Sequence, residues 1–293
     1  MPRKNVRMLT PTEKRKRLRA VLAGPKIMSP ATVFDALSAR VAESVGYELG
    51  ILSGSVCAAT MIAAPDIALQ TLTEFADQVR RVTRVSNLSV FVDADQGYGN
   101  ALNVMRTVEE LEHAGLAGLA IEDLYMPARF GAKSEYELIA VEEMTGKLRA
   151  ALSARRDPTL LIAARTASVR VEKTENVVAR VRAYAATGVD AIFITGLKKL
   201  EHLDAVRAAI KLPIIVGTAP GLKREDLAAR GVRFVLQGHS AVSGTAKALR
   251  DIYSHLYNGG APADLKPRIL SPEEMDKLLG GDHFKKWQEE YLQ

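Results

Sequence analysis

Short apolar runs rich in β-branched residues recur along the chain, each followed by a stretch whose apolar residues repeat at helical spacing. The runs at 26–28, 49–53, 89–93, 119–122, 160–164, 191–195, 213–216 and 234–236 are continuous rather than alternating. Continuous runs suit parallel strands covered on both faces, whereas alternation marks strands with one face in water. Between them, 101–114, 142–155, 174–187 and 222–229 gather apolar residues on one helical face. Gly115, Gly188 and Gly231 close helices just before a strand begins, as expected of a residue that accepts the left-handed conformation. Eight such alternations with right-handed crossovers close into an α/β fold, a (β/α)8 barrel of the TIM type. The rival is an open doubly wound sheet, but no Gly-x-Gly-x-x-Gly turn follows the first strand.

Both ends fall outside this pattern. Residues 1–22 read as a leading basic helix, which with the barrel makes a catalytic domain over 1–257. Asn258-Gly259-Gly260-Ala261-Pro262 and Pro267 mark 258–270 as a linker. Ser271-Pro272-Glu273-Glu274 then opens a helix with serine at the N-cap and proline at the first helical position. The segment 258–293 is therefore expected to be a linker and a C-terminal oligomerisation helix. Its Leu278, Leu279, Phe284, Trp287 and Tyr291 need a covering surface, and Trp287 is the natural anchor.

Composition narrows the function classes. One barrel with extensions accounts for 293 residues, and a chain of this size needs no disulfide or metal staple. The single cysteine, Cys57, excludes an internal disulfide and suits a reducing compartment. No run approaches the ~18 apolar residues of a membrane span. The basic start lacks the apolar stretch of a signal peptide, so the cytoplasm is expected, with no membrane partner. The net charge of +6 is concentrated in the first twenty residues and in pairs such as Arg80-Arg81 and Lys198-Lys199. Aromatics are 5%, and no basic stripe is interleaved with stacking residues. A solvated basic face is expected, not a nucleic-acid site.

In a barrel, residues just past the strand C-termini face the active-site mouth. One strand ends in Asp93-Ala94-Asp95-Gln96-Gly97-Tyr98-Gly99-Asn100 and the next in Glu122-Asp123. Carboxylates gathered at one mouth call for a cation between them, and an all-oxygen set favours Mg²⁺ or Mn²⁺ over zinc. Arg165-Thr166 ends the following strand, poised for bidentate capture of a carboxylate or for compensation of the acidic cluster. Ser53-Gly54-Ser55 can cradle a second anionic oxygen, and Gln237-Gly238-His239 places an imidazole on the same rim. Cys57, among Val56, Ala58 and Ala59, reads as a buried small hydrophobe.

Together these residues resemble the isocitrate lyase and phosphoenolpyruvate mutase superfamily. The matching stretches are Phe34-Asp35-Ala36-Leu37-Ser38-Ala39-Arg40, Leu52-Ser53-Gly54-Ser55, Ala64-Pro65-Asp66, Asp93 through Gly99, Ile121-Glu122-Asp123 and Ala164-Arg165-Thr166. The resemblance implies a Mg²⁺ site and a homotetramer, a dimer of dimers, with C-terminal helices swapped between neighbours. It implies that Ser53, Gly54, Ser55 and Arg165 hold the substrate carboxylate. Asp93, Asp95 and Glu122 would hold the metal directly or through water, with Asp66 on the mobile rim.

The loop after the fourth strand departs from two branches. Carbon–carbon lyases of the superfamily carry Lys-Cys-Gly-His there and phosphonomutases Lys-Asn-Ser; this chain has Pro127-Ala128-Arg129-Phe130-Gly131-Ala132-Lys133-Ser134. That loop, Gly99 through Thr107 and Gly238-His239 are similar to the oxaloacetate decarboxylase branch, where the residues resembling Ser55, Asp93, Arg165 and His239 bind substrate and metal. The implied catalytic set is Arg165, His239 and Asp66. The expected reaction converts oxaloacetate, or a close β-keto dicarboxylate, to pyruvate and CO₂ through a metal-stabilised enolate. Loss of CO₂ needs no proton, in keeping with the missing thiol acid. A carbon–carbon lyase of a substituted malate or isocitrate, a phosphonomutase-like enzyme and a catalytically dead scaffold are the alternatives.

Overall fold

The computed structural model describes residues 7–131 and 136–292. Thr10 opens helix α1 (Pro11–Ala23) through a reciprocal cap with Glu13, and Pro11 takes the first helical position. A single sheet follows, its parallel strands paired in chain order. They are β1 (Ala31–Thr32), β2 (Leu49–Leu52), β3 (Ser89–Asp93), β4 (Gly118–Glu122), β5 (Leu161–Thr166), β6 (Ala191–Ile194), β7 (Ile214–Val216) and β8 (Val232–Val235). Met28 closes the sheet into a barrel: its amide donates to Arg233 O at 2.9 Å, and its carbonyl accepts from Val235 N at 3.0 Å. Outside stand α2 (Ala36–Val45), α3 (Gly54–Met61), α4 (Leu72–Val85), α5 (Ala101–His113), α6 (Val141–Ala154), α7 (Thr174–Ala185), α8 (Leu200–Ala209), α9 (Arg224–Ala229) and α10 (Ser240–Tyr257).

The sequence places the first strand at 26–28, but the ladder with β2 forms at Ala31–Thr32. Pro30 lacks an N–H and cannot donate to a ladder, so Met28 is left as an isolated bridge on the other side. The last strand starts two residues earlier than the run at 234–236 suggests.

Side chains along each strand alternate between two cores. Phe91, Ala120, Leu161, Ala163 and Phe193 point into the barrel with Leu49, Ile51, Ile215 and Phe234. Val90, Val92, Leu119, Ile121, Ile162 and Ala164 pack outward under the helices. Continuing the inward row by two residues on β3, β4 and β5 reaches Asp93, Glu122 and Arg165. The next residues, Asp123 and Thr166, must then face outward.

Helix α1 plugs the opposite, N-terminal end, sending Leu18 and Leu22 into the inner core. Lys16 is solvated as the composition suggests, but Lys14 and Arg15 are buried. Lys14 Nζ donates to Thr83 O and Ser86 O at 2.8 and 2.7 Å. Arg15 reaches Leu116 O, Glu112 O and Asp157, and Arg19 reaches Leu160 O and Asp190. These carbonyls lie where outer helices end and strands begin. Arg3 and Lys4 lie outside the described residues.

Beyond the barrel, Ser271 caps α11 (Pro272–Leu279) as its sequence indicates. The expected single C-terminal helix is broken at Gly280, whose φ of 83° ends α11 and starts α12 (Gly281–Tyr291). No residue of α10, α11 or α12 is buried, leaving Tyr253, Tyr257, Phe284, Trp287 and Tyr291 exposed. Among the described residues no helix is long and apolar enough to cross a membrane.

Candidate active site

The inward polar layer sits on the aromatic layer formed by Phe91, Phe193 and Phe234. Arg165, on β5, lies directly across from Glu122 on β4. Its Nη1 donates to Asp93 Oδ1 at 2.5 Å and stands 2.9 Å from Glu122 Oε2, and its guanidinium carbon is 5.5 Å from the Phe193 ring centroid. Arg165 thus compensates the acidic cluster. Its Nε is buried without an acceptor, so binding capacity is left over. Burial alone would lower the guanidinium pKa, and Asp93 and Glu122 more than reverse that.

Asp95 is held by an unusual turn. Asp95 and Tyr98 both take positive φ, 47° and 59°, and Gly97 and Gly99 on either side of Tyr98 do the same. The turn is gripped from three sides. Glu122 N donates to Asp95 O at 2.8 Å, Thr107 Oγ1 to Gly97 O at 3.0 Å, and buried Lys147 to Gln96 O at 3.2 Å. Gln70, from the loop that carries Asp66, hydrogen-bonds to the Asp95 carboxylate. Gly54 answers a packing demand here: a Cβ on it would stand 2.5 Å from Asp95 Oδ1.

Ser53 ends β2 and caps α3, accepting from Val56 N at 3.4 Å. Its Oγ lies 3.0 Å from Ser55 Oγ and 3.3 Å from Nε2 of His239, the residue after the β8 turn. The other ring nitrogen, Nδ1, lies 3.3 Å from Thr32 Oγ1 at the end of β1. Asp66 is exposed on the rim. Partial burial of its carboxyl, and then the charge of Asp93, raise its pKa, while Arg165 and His239 oppose them.

Asp123 does not join the mouth. It faces outward, bound by Tyr184 Oη at 2.7 Å, Thr166 Oγ1 at 2.8 Å and Arg180 Nη1 at 3.4 Å. Cys57 is buried, which pushes its thiol up to about 12, far from a thiolate nucleophile. Lys133 and Ser134 of the loop after β4 lie outside the described residues. A concavity of about 370 Å³ lined by Met28, Tyr47 and Glu48 lies at the plugged end, away from this chemistry.

The donor set suits a hard divalent cation. Burial raises the pKa of both Asp95 and Glu122, and neighbouring carboxylates push the same way. Glu122 Oε2 is buried and makes no aligned hydrogen bond, its one ion-pair neighbour being Arg165 Nη1 at 2.9 Å. An all-oxygen cluster with an under-satisfied oxygen and one guanidinium for balance is short of positive charge. Among the described residues no three of these side chains converge as a closed ligand set. Thr107 lies in the stretch from Gly99 that carries the family resemblance, whereas Thr32, Gln70 and Lys147 were not singled out by sequence; of these three, only Thr32 carried a local signal, the β-branched run Thr32-Val33.

The sequence profile of the family described as phosphoenolpyruvate phosphomutase matches residues 18–257. An oxaloacetate decarboxylase of Bradyrhizobium diazoefficiens is 49% identical over 255 residues, 86% of this chain and 88% of that protein. The solved phosphoenolpyruvate phosphomutase of Streptomyces platensis subsp. rosaceus superposes with a TM-score of 0.85 at 26% identity, covering 95% of this chain and 99% of that one. A phosphonopyruvate hydrolase in complex with oxalate and Mg²⁺ gives 0.84 at 26% identity, covering 97% and 100%. With the profile spanning every strand of the barrel and the whole acidic mouth, the chain belongs to the phosphoenolpyruvate phosphomutase family.

Proposed function

We propose that this chain is a carboxy-lyase that decarboxylates oxaloacetate, or a close β-keto dicarboxylate, to pyruvate and CO₂ with Mg²⁺, or Mn²⁺ in its place. One observation carries this over a carbon–carbon lyase. The loop after β4, residues 123–140, contains neither cysteine nor histidine to protonate a carbanionic leaving group, and departing CO₂ needs none. The 49%-identical relative named oxaloacetate decarboxylase supports it.

Asp93, Asp95 and Glu122 would hold the ion directly or through water. When bound, the ion supplies Lewis-acid stabilisation of the charge that develops on the keto oxygen. Arg165 and the amide end of α3, where Ser53, Gly54 and Ser55 sit, orient the α-carboxylate so that the scissile bond stays fixed relative to the carbonyl. His239 and Asp66 flank it from the rim. Cleavage leaves an electron pair shared between C3 and the keto oxygen, and a proton from water at C3 completes pyruvate. The oxalate and Mg²⁺ in the related hydrolase fit this chemistry, since oxalate has the planar charge pattern of that enolate.

The assembly proposed is a homotetramer built through α10, α11 and α12, where Tyr253, Tyr257, Phe284, Trp287 and Tyr291 stand exposed. The reducing cytoplasm suits the lone Cys57, and no nucleic-acid partner is proposed. A ¹H-NMR screen of α-keto and α-hydroxy dicarboxylates with Mg²⁺ tests the activity. Pyruvate is expected from oxaloacetate well above the spontaneous rate; turnover of a substituted malate alone would replace this reading with a lyase.

A further inference from the structure

Hydrogen counting at the rim sets a direction that distances alone do not. Thr32 Oγ1 lies 2.8 Å from Gly238 O, a carbonyl that can only accept. The single hydroxyl hydrogen of Thr32 is therefore committed to Gly238. Gly238 sits at φ 80°, a turn that aims its carbonyl back at β1. Thr32 Oγ1 can then meet His239 Nδ1, 3.3 Å away, only as an acceptor, so Nδ1 carries the imidazole hydrogen. In the neutral ring Nε2 is left with a lone pair, and the hydrogen in its 3.3 Å contact must come from Ser53. Ser53, having given its hydrogen away, must accept from Ser55 at 3.0 Å as it does from Val56 N. Every donor and acceptor in the chain is then used without conflict.

We propose that Thr32 is a positioning residue that holds His239 as the Nδ1–H tautomer, making Nε2 the end acceptor of a chain running Ser55 to Ser53 to His239. Burial favours the neutral ring, and Asp93 and Asp66 only partly offset that preference. The Ser55 hydroxyl then turns lone pairs toward the mouth, matching a ligand atom that brings a hydrogen. Recognition of a bare carboxylate falls to Arg165 and to backbone N–H groups. The serines thus discriminate between protonated and ionised ligand oxygens, and the threonine on β1 decides which they accept.

Thr32→Val keeps the shape and removes the hydroxyl; Thr32→Ser keeps the hydroxyl. Histidine labelled with ¹⁵N reports the tautomer through the separate shifts of protonated and bare ring nitrogens, with His239→Gln used only to assign the signal. In the full-length protein His239 should show a bare Nε2, and Thr32→Ser should preserve it. Thr32→Val should move the hydrogen to Nε2 in at least part of the population. The kinetic arm rests on the proposed decarboxylation, whereas the nitrogen shifts do not. Removing the orienting partner should cut kcat about tenfold, at the low end for such partners, with recovery in Thr32→Ser. A protonated Nε2 in the unmodified protein overturns the proposal, as does an unchanged pattern in Thr32→Val. Equal kinetic damage in the serine variant would show that the methyl group matters and not the hydroxyl.

Discussion

Replacing Gly54 by alanine isolates one contact of the acidic mouth. The new methyl would meet Asp95 Oδ1 at 2.5 Å, Oδ2 at 2.6 Å and Cγ at 2.9 Å, all inside contact distance. Something must yield, and the backbones on both sides are clamped. Cys57 N bonds Ser53 O at 3.0 Å at the start of α3, and Glu122 N holds Asp95 O at 2.8 Å. The Asp95 side chain is the softer part and should rotate away. Overpacking of this kind costs about 1–3 kcal/mol. Alanine in a helix returns up to about 1 kcal/mol, so the fold should survive. If the displacement falls on cation binding, 1–3 kcal/mol weakens it by roughly 5- to 150-fold. Mn²⁺ titration followed by electron paramagnetic resonance measures this directly, with thermal unfolding in chelator as the stability control. An Mn²⁺ affinity within twofold of the unmodified protein would remove Asp95 from the metal site, whatever happened to turnover.

Treatment with EDTA should abolish activity and Mg²⁺ or Mn²⁺ restore it; full activity in excess chelator, or rescue by Zn²⁺ alone, refutes the oxygen-ligand site. Arg165→Lys keeps the charge but loses the planar fork, and should lower kcat/KM by about 2–4 kcal/mol, roughly 30- to 900-fold. Near-native kcat/KM would reduce Arg165 to a counterion for Asp93 and Glu122. Burial tends to raise the Asp157 pKa, but hydrogen bonds from Thr159, Arg15 and Thr12 outweigh it and hold the carboxyl below its ordinary value. A depressed carboxylate adds stability above its unfolded pKa of ~3.9 and loses it as pH falls through the lowered value. Denaturant midpoints should therefore drop more steeply below about pH 4 in the unmodified protein than in Asp157→Asn. Deletion after residue 270 should leave a folded barrel of lower oligomeric order, and an unchanged tetramer mass by light scattering would free α11 and α12 of any role in assembly.

What could be read from sequence follows the range of the interactions involved. Strand runs and helix stops are local, so seven of the strands fall within about two residues of their apolar runs. The exception, β1, turns on Pro30, where a missing N–H splits one run into a bridge and a short ladder. The inward placement of Asp93, Glu122 and Arg165 follows from period-two alternation above Phe91, Ala120 and Ala163. The same alternation sends Asp123 outward, although in sequence it looks equal to Glu122. The contact of Ser53 with His239 joins residues 186 positions apart, and only barrel closure brings them together. Gly54 carries no local mark of its function either, because the atom that excludes a side chain there belongs to Asp95. The basic helix α1 misleads for a related reason: carbonyls at the barrel floor accept from Lys14 and Arg15, Asp157 pairs with Arg15, and those partners are invisible in composition.

The charge balance of the mouth limits what it can take. Asp66, Asp93, Asp95 and Glu122 face one guanidinium, above a layer of aromatic rings that offers no solvation. A dicarboxylate entering this site as it stands would add like charge to a cluster that already raises its own carboxyl pKa values. Either protons or a cation must accompany it. Protons on Asp95 and Glu122 would silence the very oxygens that hold the turn's charge, and would leave nothing to draw electrons toward a keto oxygen. A divalent cation would neutralise the same carboxylates and supply that pull at once. A cation held by Asp93 and Glu122 would compete with Arg165 for them, and guanidinium N–H groups would then be free for a ligand carboxylate. The carboxylates on β3 and β4 and the arginine on β5 therefore work as one electrostatic unit. That is why the loss of catalysis in Arg165→Lys should exceed what a single exposed ion pair is worth.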